Sequence, residues 1–541
     1  MVSPETSAPE KAGANPAAGV VTLSPPLDDG LAWTRRPAGG LLGDIARRRP
    51  FYVNDFVQGF HPKVLASILF LFFACIANAI AFGGLTGIVT GGQIGTTEMI
   101  VATAAGGVTF ALFGGQPLTI LGGTGPIVIF TGLLYGASQQ TGLPFLAVYA
   151  WTGIWSGLFL VILAVTDASA LMRFFTRFTD EIFAALIAVI FIVEALGSMI
   201  DPFAAANVDY AGALFGVVLS LGTYSLSRTL KNAAQTRYLI SSIRNFLSDF
   251  GPAIAITAMT LLAISLPAVE LAAPAIPETF GTTTGRPWMV DLWSLPTWAI
   301  FAAAGPALMA TILLFLDQNI TTRLVNAPAH KLRKGAGFHL DLLVVGLIVG
   351  VGSLFALPWI VAATVHALNH VKSLATVEVV NEGGVQKPVI RSVRENRVSA
   401  LMIHVLIGFS ILILPLIQLI PMSVLFGLFL FMGFNTLAGN QLWDRFLLWF
   451  TDPRLYPKTH YVRRVKISRI HFFTLIQVLA LGALWMLKTS PVGILFPVLI
   501  ALLVPLRLGL GRRFTQAELE ALDAEEELDD QEERSSGEVH A

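Results

Sequence analysis

Residues 116–135, QPLTILGGTGPIVIFTGLLY, place a helix-breaking run at the centre of an apolar segment. The glycines of GGTGP disfavour a helix, whereas Pro126 fits a first helical turn, where its missing N–H needs no partner. We therefore expect an extended segment over 117–123 and a short helix over 124–135. The N–H groups at the start of such a helix carry partial positive charge and bind anions. The alternative is that GGTGP only kinks a packed helix.

A second break of the same kind occurs at residues 355–371, FALPWIVAATVHALNHV. This run is too short to cross a bilayer as one helix, and Pro358 precedes a helix start expected near residues 362–363. Two helix starts that meet at one depth would form a pocket for a small anion. The backbone groups expected to hold the anion belong to Thr124, Gly125, Ala363 and Thr364.

A carboxylate and a hydroxyl share one helical face in ILLFLDQNITTRLV. Asp317 and Thr321 are four residues apart, and their oxygens are the hard ligands that a cation such as sodium prefers. A charge inside a membrane-spanning segment is costly and therefore suggests function. We predict a cation site at Asp317 and Thr321, next to the anion. The alternative is an Asp317 at the helix end, paired with Arg323.

His366 and His370 are also four residues apart, and His366 lies one turn into the second short helix. A protonated His366 would help to hold an anion and would titrate near neutral pH, whereas a neutral ring would serve in packing. No HExxH pattern accompanies the pair, so no metal site is expected. The sequence has no Walker motif, nucleophile elbow or phosphate loop, and we expect no enzyme activity.

The composition shows what kind of protein positions these residues. The chain has 541 residues, of which 54% are hydrophobic and 13% charged. Soluble domains carry about 25% charged residues, so the composition predicts an all-α integral membrane protein. The single cysteine, Cys75, excludes a disulfide framework and any site built from several cysteines.

The distribution of Lys and Arg predicts the topology. Apolar runs of spanning or near-spanning length number 14. If both termini are cytoplasmic, every Lys and Arg except Arg286 and Lys488 falls on the cytoplasmic side of such a 14-span chain. Basic residues are enriched in cytoplasmic loops, and this pattern therefore favours 14 spans with both termini cytoplasmic. The membrane is expected to be the plasma (inner) membrane.

The third and tenth segments carry the two breaks, seven spans apart, so they enter the membrane from opposite sides. This predicts two inverted repeats of seven spans each, with discontinuous helices in segments 3 and 10. Residues 1–45 are expected to form a disordered cytoplasmic arm and residues 516–541 an acidic cytoplasmic tail that is solvated or docked. The transporter domain would span 46–515, with repeats over about 58–268 and 295–510.

Several stretches resemble the bicarbonate transporter family, which comprises anion exchangers, sodium–bicarbonate cotransporters and borate exporters. The stretches, between about residues 42 and 515, are DIARRRPFYVNDFVQGFHPKVLAS, NAIAFGGLTG, GGQPLTILGGTGP, TRFTDEIFAALIAVIFIVEA, DQNITTRLV, KGAGFHLDLL, LPWIVAATVHALNHVKSLA and VLFGLFLFMGFNTLAGNQLWDR. The resemblance implies a core domain from spans 1–4 and 8–11, and a gate domain from spans 5–7 and 12–14 that usually forms the dimer contact. It implies a bacterial-type member without the large N-terminal cytoplasmic domain of animal members.

The resemblance also bears on single positions. Family members place an acidic residue where Asp317 stands, and sodium-coupled members are expected to carry Asp there with a hydroxyl at the position of Thr321. The resemblance implies that chloride–bicarbonate exchangers carry Glu at the position of Asp317 and Arg at the position of His366, where cotransporters carry an apolar residue. Cys75 lies in a stretch that contains Thr in members with a cation site.

These observations predict a secondary transporter of bicarbonate or carbonate that works by alternating access, with sodium coupling as one option. Chloride–bicarbonate exchange and borate export are the alternatives within the family, and an anion channel or a non-transporting membrane scaffold are the alternatives outside it. The expected partners are a small inorganic anion, the lipid bilayer and a second copy of the chain. No cofactor other than a coupled sodium ion and no nucleic acid are expected.

Overall fold

The computed structural model describes residues 30–274, 276–277, 280–382, 385–457 and 459–524. Nearly all of its regular structure is helical, as the apolar composition predicts, and two small antiparallel sheets interrupt the helices. Most of the predicted N-terminal arm (1–29) and of the predicted acidic tail (525–541) lies outside the described residues.

The elements of the first half surround the first break. They are α1 (Gly39–Arg48), α2 (Tyr52–Val57), α3 (Pro62–Val89), α4 (Thr96–Phe113), β1 (Leu121–Gly122), α5 (Gly125–Thr141), α6 (Phe145–Val165), α7 (Arg177–Ile200), α8 (Tyr210–Asn232) and α9 (Ser241–Ile264).

The elements of the second half surround the second break. They are α10 (Thr297–Ala302), α11 (Ala304–Val325), α12 (Phe338–Ser353), β2 (Val361–Ala362), α13 (Thr364–Leu374), β3 (Ala375–Glu382), β4 (Val385–Val393), α14 (Val398–Phe409), α15 (Leu414–Ile417), α16 (Met422–Ala438), α17 (Gln441–Leu447), α18 (His460–Arg464), α19 (Ile467–Lys488), α20 (Phe496–Ala501), α21 (Leu503–Gly509) and α22 (Gln516–Asp523).

Within the described residues, ten helical segments are long and apolar enough to cross a membrane, and α16 with α17 would add an eleventh if this pair, bent by 76°, is one span. The protein is therefore a multi-pass integral membrane protein. The sequence predicts 14 segments, and several of them are short in the structure. Helix α5 has 17 residues, α12 has 16 and α13 has 11, fewer than the ~20 that a straight span needs.

The membrane helices pack as two sets. In the first, α6 contacts α11 and α12, α4 contacts α3, α12 and α14, and α3 contacts α5, α13 and α14. In the second, α16 contacts α7, α8 and α9, α8 contacts α9, and α19 contacts α7. Fewer contacts join the sets, chiefly α3 with α9 and α16, α5 with α7, and α11 with α20.

Glycines allow α6 and α12 to approach closely. A Cβ atom built on Gly157 of α6 would lie 2.7 Å from the carbonyl oxygen of Gly346 and 2.8 Å from the Cα atom of Gly350, both in α12. Real Cβ contacts are not that short, so any larger residue at 157 would push the helices apart. Small residues at such contacts are the usual way in which membrane helices maximise packing.

The hairpin of β3 and β4 was not anticipated by the all-α prediction. Its strands pair antiparallel from Ala375 opposite Val393 to Glu382 opposite Val385, with an irregularity between Thr376 and Val377. The signal in the sequence is the alternation in TVEVV, which precedes a Gly-Gly pair and a second β-branched run. The hairpin follows α13 directly and leads into α14.

The prediction that residues 1–45 form a disordered arm is wrong for its described part. Helix α1 begins at Gly39, and the Asp167 carboxylate accepts hydrogen bonds from the N–H of Gly40 at 2.8 Å and of Thr34 at 3.3 Å. Burial opposes ionisation of Asp167, but the bonds from Thr34 and Gly40 outweigh it and hold its pKa below the ordinary value. In turn, Asp44 of α1 accepts from the N–H of His339 at 2.7 Å, at the start of α12.

The described start of the acidic tail is docked. Thr515 and Glu518 form a capping box that starts α22. At the other end, Asp523 accepts a hydrogen bond at 3.1 Å from the N–H of Phe178 in the first turn of α7, and it pairs with Arg507 of α21. A carboxylate at a helix N-terminus satisfies an unpaired N–H and is favoured by the helix dipole.

Candidate functional site

The two predicted breaks meet in a two-residue antiparallel sheet. Strand β1 pairs with β2 so that Leu121 lies opposite Ala362 and Gly122 opposite Val361. The prediction that both segments are broken is thereby confirmed, although the first short helix continues to Thr141 and not only to about residue 135. The strands are antiparallel and each leads into a helix, so α5 and α13 run away from the pair in opposite directions and their N-termini lie at the same place.

Both helix starts leave N–H groups without a partner inside the helix. The first helical bond of α5 runs from Val128 to Thr124 at 3.2 Å, and that of α13 from Ala367 to Ala363 at 2.9 Å. The N–H groups before these bonds are left to a ligand or to water, and they carry the positive end of the helix dipole. The N–H of Ala363 is an exception to the prediction, because it donates to the Ile120 carbonyl at 2.8 Å and supports the strand pair.

Helix α11 contacts both helix starts with successive turns. The Thr124 hydroxyl donates to Oδ2 of Asp317 at 2.7 Å. One turn later, the hydroxyls of Thr321 and Thr364 lie 2.6 Å apart, and Thr321 donates to the Ala362 carbonyl at 3.3 Å. The structure thus brings Thr124, Asp317, Thr321 and Thr364 together, which the sequence suggested only through the shared face of α11.

Asp317 is buried, and the side chain that it contacts is the hydroxyl of Thr124 and not a Lys or Arg. Its side chain is 7% exposed, and within the described part of the chain no Lys or Arg forms an ion pair with it. The alternative pairing with Arg323 is wrong. Arg323 instead pairs with Asp180 of α7 and donates to the Phe175 carbonyl at 2.5 Å. An ionised carboxylate in this position needs a cation, and the neutral form needs a proton.

Several supporting side chains were not singled out as site residues from the sequence. Gln318 accepts from the Ala362 N–H at 3.0 Å, and Asn78 of α3 donates to the Gly123 carbonyl at 3.3 Å. His404 of α14 contacts the Leu121 carbonyl at 3.2 Å. They satisfy backbone groups that the extended segments expose inside the membrane. A signal was present for two of them, since Gln318 follows Asp317 and Asn78 begins NAIAFGG.

The two histidines of α13 take different partners. His366 is half-buried, and its Nε2 lies 3.2 Å from the carbonyl oxygen of Ala74 in α3. His370 is buried, with Nδ1 2.9 Å from the Leu118 carbonyl and Nε2 2.6 Å from the Ser399 hydroxyl. Only His366 thus lies within the first turn of α13, beside the free N–H groups.

Aromatic rings close the pocket from the side of α7 and α16. The ring centroids of Phe82, Phe191 and Phe429 lie 5.6–5.7 Å from one another. A Cβ atom on Gly125 would lie 2.8 Å from the Phe191 ring, so the start of α5 touches α7 directly. This contact joins the two helix sets at the level of the strand pair.

The chain matches a family model described as "HCO3- transporter integral membrane domain" over residues 36–213 and 203–527. It is 37% identical to the human band 3 anion transport protein over 523 residues, which cover 92% of this chain and 57% of that protein. It is also 37% identical to the sodium-driven chloride bicarbonate exchanger of Rattus norvegicus over 564 residues, covering 91% of this chain and 50% of that protein. The chain thus spans about half the length of these relatives.

Solved structures show the same fold at lower identity. The transmembrane domain of the cyanobacterium bicarbonate transporter BicA superposes with a TM-score of 0.55 at 16% identity, covering 78% of this chain and 97% of that one. SLC26A9 superposes with a TM-score of 0.55 at 15% identity, covering 86% of this chain and 68% of that one.

The contact between Thr321 and Thr364 is testable by a double-mutant cycle. Thr321→Val and Thr364→Val each remove one hydroxyl of the pair, and we expect each to lower the free energy of unfolding by about 0.5–1.5 kcal/mol. The double variant should lose less than the sum, because the contact can be lost only once. The measurement is thermal unfolding of the purified protein. Thr257→Val is the control, since that exposed hydroxyl donates to the Ala253 carbonyl in its own helix. If the loss of unfolding free energy in the double variant equals the sum of the two single losses, the two hydroxyls do not interact.

Proposed function

Because the chain belongs to the family of HCO3⁻ transporter integral membrane domains, we propose that it is a secondary active transporter of bicarbonate or carbonate. The observation that carries the proposal is the meeting of two helix N-termini at a strand pair inside the membrane, next to a buried carboxylate. Two dipoles favour an anion by roughly 0.3–1 kcal/mol each, or up to ~2 when partly buried. Such a site holds a small anion weakly enough to release it.

In the proposed site the anion is bound by free N–H groups and hydroxyls at Thr124, Gly125 and Thr364, with Ala363 lining the helix start. Asp317 and Thr321 hold a cation, for which sodium is the first choice. The support is chemical. Asp317 has no basic partner among the described residues, so a cation or a proton must accompany it when the site closes. A cation bound there also offsets the charge of the anion. Chloride exchange and borate export stay the alternatives.

We propose that transport proceeds by alternating access between a core and a gate domain. The first helix set, with α3–α6 and α11–α14, would be the core, and the second, with α7–α9 and α16–α21, the gate. This division supports a 14-segment chain of two inverted seven-segment repeats over about 58–268 and 295–510, with the short helices α5 and α13 as third members. The support is the antiparallel meeting of β1 and β2 and the smaller number of contacts between the sets.

We propose that both termini lie in the cytoplasm, because 33 of 35 Lys and Arg then fall on the cytoplasmic side of a 14-segment chain. We also propose that the membrane is the plasma (inner) membrane. We propose a homodimer formed through the gate domain. An anion channel is the competing class, and transport against a gradient separates the two.

Ion replacement in proteoliposomes tests the coupling. With a pH dye inside, we expect bicarbonate-driven alkalinisation to require external sodium and to persist without chloride on the opposite side. Asp317→Asn should abolish the sodium dependence, because the neutral amide offers no charge to a cation. Glu378→Gln, on the exposed hairpin, is the matched control. Flux that ignores sodium and stops without trans chloride would favour exchange instead.

The pH profile of transport tests the role of His366. The sequence left two alternatives, a charged ring that attracts the anion and a neutral ring that serves in packing. The Nε2 atom lies against the Ala74 carbonyl, and among the described residues no carboxylate pairs with the ring, which favours the neutral ring. We therefore expect the flux at fixed, subsaturating bicarbonate to vary with pH between about 6 and 8 in the same way in the wild type and in His366→Leu. A profile that His366→Leu flattens would instead assign a charged His366 to the site.

The Arg323–Asp180 pair is proposed to hold the cytoplasmic side closed, because it joins α11 of the core to α7 of the gate. Arg323→Gln should favour the inward-open state by up to about fivefold, as expected for a partly exposed pair worth up to about 1 kcal/mol. The measurement is the rate at which an impermeant thiol reagent labels Val365→Cys from the cytoplasmic side; the native cysteine, Cys75, is buried. Arg391→Gln, in the exposed pair with Glu378, is the control. An unchanged labelling rate in Arg323→Gln would contradict the proposal that this ion pair keeps the cytoplasmic side closed.

A further inference from the structure

An apolar groove of about 280 Å³ lies between α4 and α12, away from the proposed transport site. Its side walls include Ala105 and Gly106 of α4 and Leu347 and Val351 of α12, and its floor is formed by Trp359 and Ile360, which lead into β2. The groove belongs entirely to the first helix set.

The polar atoms in the wall are already bonded. The Thr109 hydroxyl donates to the Ala105 carbonyl at 2.8 Å, and the Trp359 Nε1–H donates to the Ser353 hydroxyl at 2.9 Å. Water in a cavity needs two to four polar partners, and apolar cavities of about 150 Å³ stay dry and bind hydrocarbons. The occupant of this groove must therefore be apolar.

The groove opens sideways to the membrane. Ala105, Leu347 and Val351 at its rim are exposed, Leu347 by 52% and Val351 by 58%, and they lie along the lengths of two apolar helices. Lipid hydrocarbon is the solvent at that depth. A second helix is about 10 Å wide and would not enter a space of this volume. We propose that a phospholipid acyl chain occupies the groove as a bound lipid.

The lipid acyl chain would pack against Trp359 and Ile360, which lead into the β1–β2 strand pair. The Trp359 ring stacks on Tyr149 with centroids 4.4 Å apart, and a Cβ atom on Gly106 would lie 2.5 Å from Ile360. These contacts from α6 and α4 cover Trp359 and Ile360 almost completely, to 2% and 1% exposure, and the groove lies directly beside them. A bound acyl chain completes that packing, so the lipid would stabilise the core domain whatever solute the protein carries.

Photo-crosslinking tests the site on the full chain in bilayers. Phosphatidylethanolamine with a mid-chain diazirine should attach to residues 102–109 of α4 and 347–352 of α12, as mapped by peptide mass spectrometry. Ala105→Phe fills the groove and should reduce this attachment at least fivefold. Ala483→Phe adds the same ring at an exposed position on α19 and should leave it unchanged.

A second measurement covers the case in which Ala105→Phe folds poorly. Wild-type protein from which detergent has removed the bound lipid should gain thermal stability when phosphatidylethanolamine is added. A single-chain detergent of equal charge should not give this gain at the same concentration. The proposal is overturned if wild-type label is spread evenly over lipid-facing helices, if both Phe variants lose it equally, or if the groove crosslinks to a second copy of the chain.

Discussion

The fold depends on satisfying backbone hydrogen bonds where two chain segments are not helical inside the membrane. Lipid offers no donors or acceptors, so an extended segment there must find its partners within the protein. The β1–β2 pair satisfies part of this demand, and side chains from three helices satisfy more, through Asn78, Gln318 and His404. The free N–H groups that remain at the two helix starts are the ones that the proposed anion would use.

Helix α11 links the hydrogen bonding of the two non-helical segments to the proposed binding of ions. Its Asp317 and Thr321 each contact one of the short helices, so a ligand at Asp317 competes with the Thr124 hydroxyl for the same carboxylate. The occupancy of the carboxylate and the geometry of the α5 start are therefore linked through one hydrogen bond. The far end of α11 carries Arg323, which contacts α7, so the same helix reaches from the pocket to the second helix set.

The sequence was sufficient where a local rule decides the structure. GGTGP predicted the first break because glycine and proline act within one turn, and Asp317 drew attention because a carboxylate is rare in an apolar run. The partner of Asp317 could not be predicted, since Thr124 is 193 residues away and the nearer Arg323 offered an obvious pairing. The docked segment after residue 30 was missed because its order comes from Asp167 and from the start of α12, not from its own composition.

The brevity of the sheet has a mechanical consequence. Two residues per strand give a ladder too small to slide by one step without breaking altogether, and a slip would also turn every side chain to the opposite face. The tips of α5 and α13 are thus held to each other by the strand pair. A solute bound between them would contact two helix starts that are joined to each other, so a displacement of one start would be passed to the other through the strand pair.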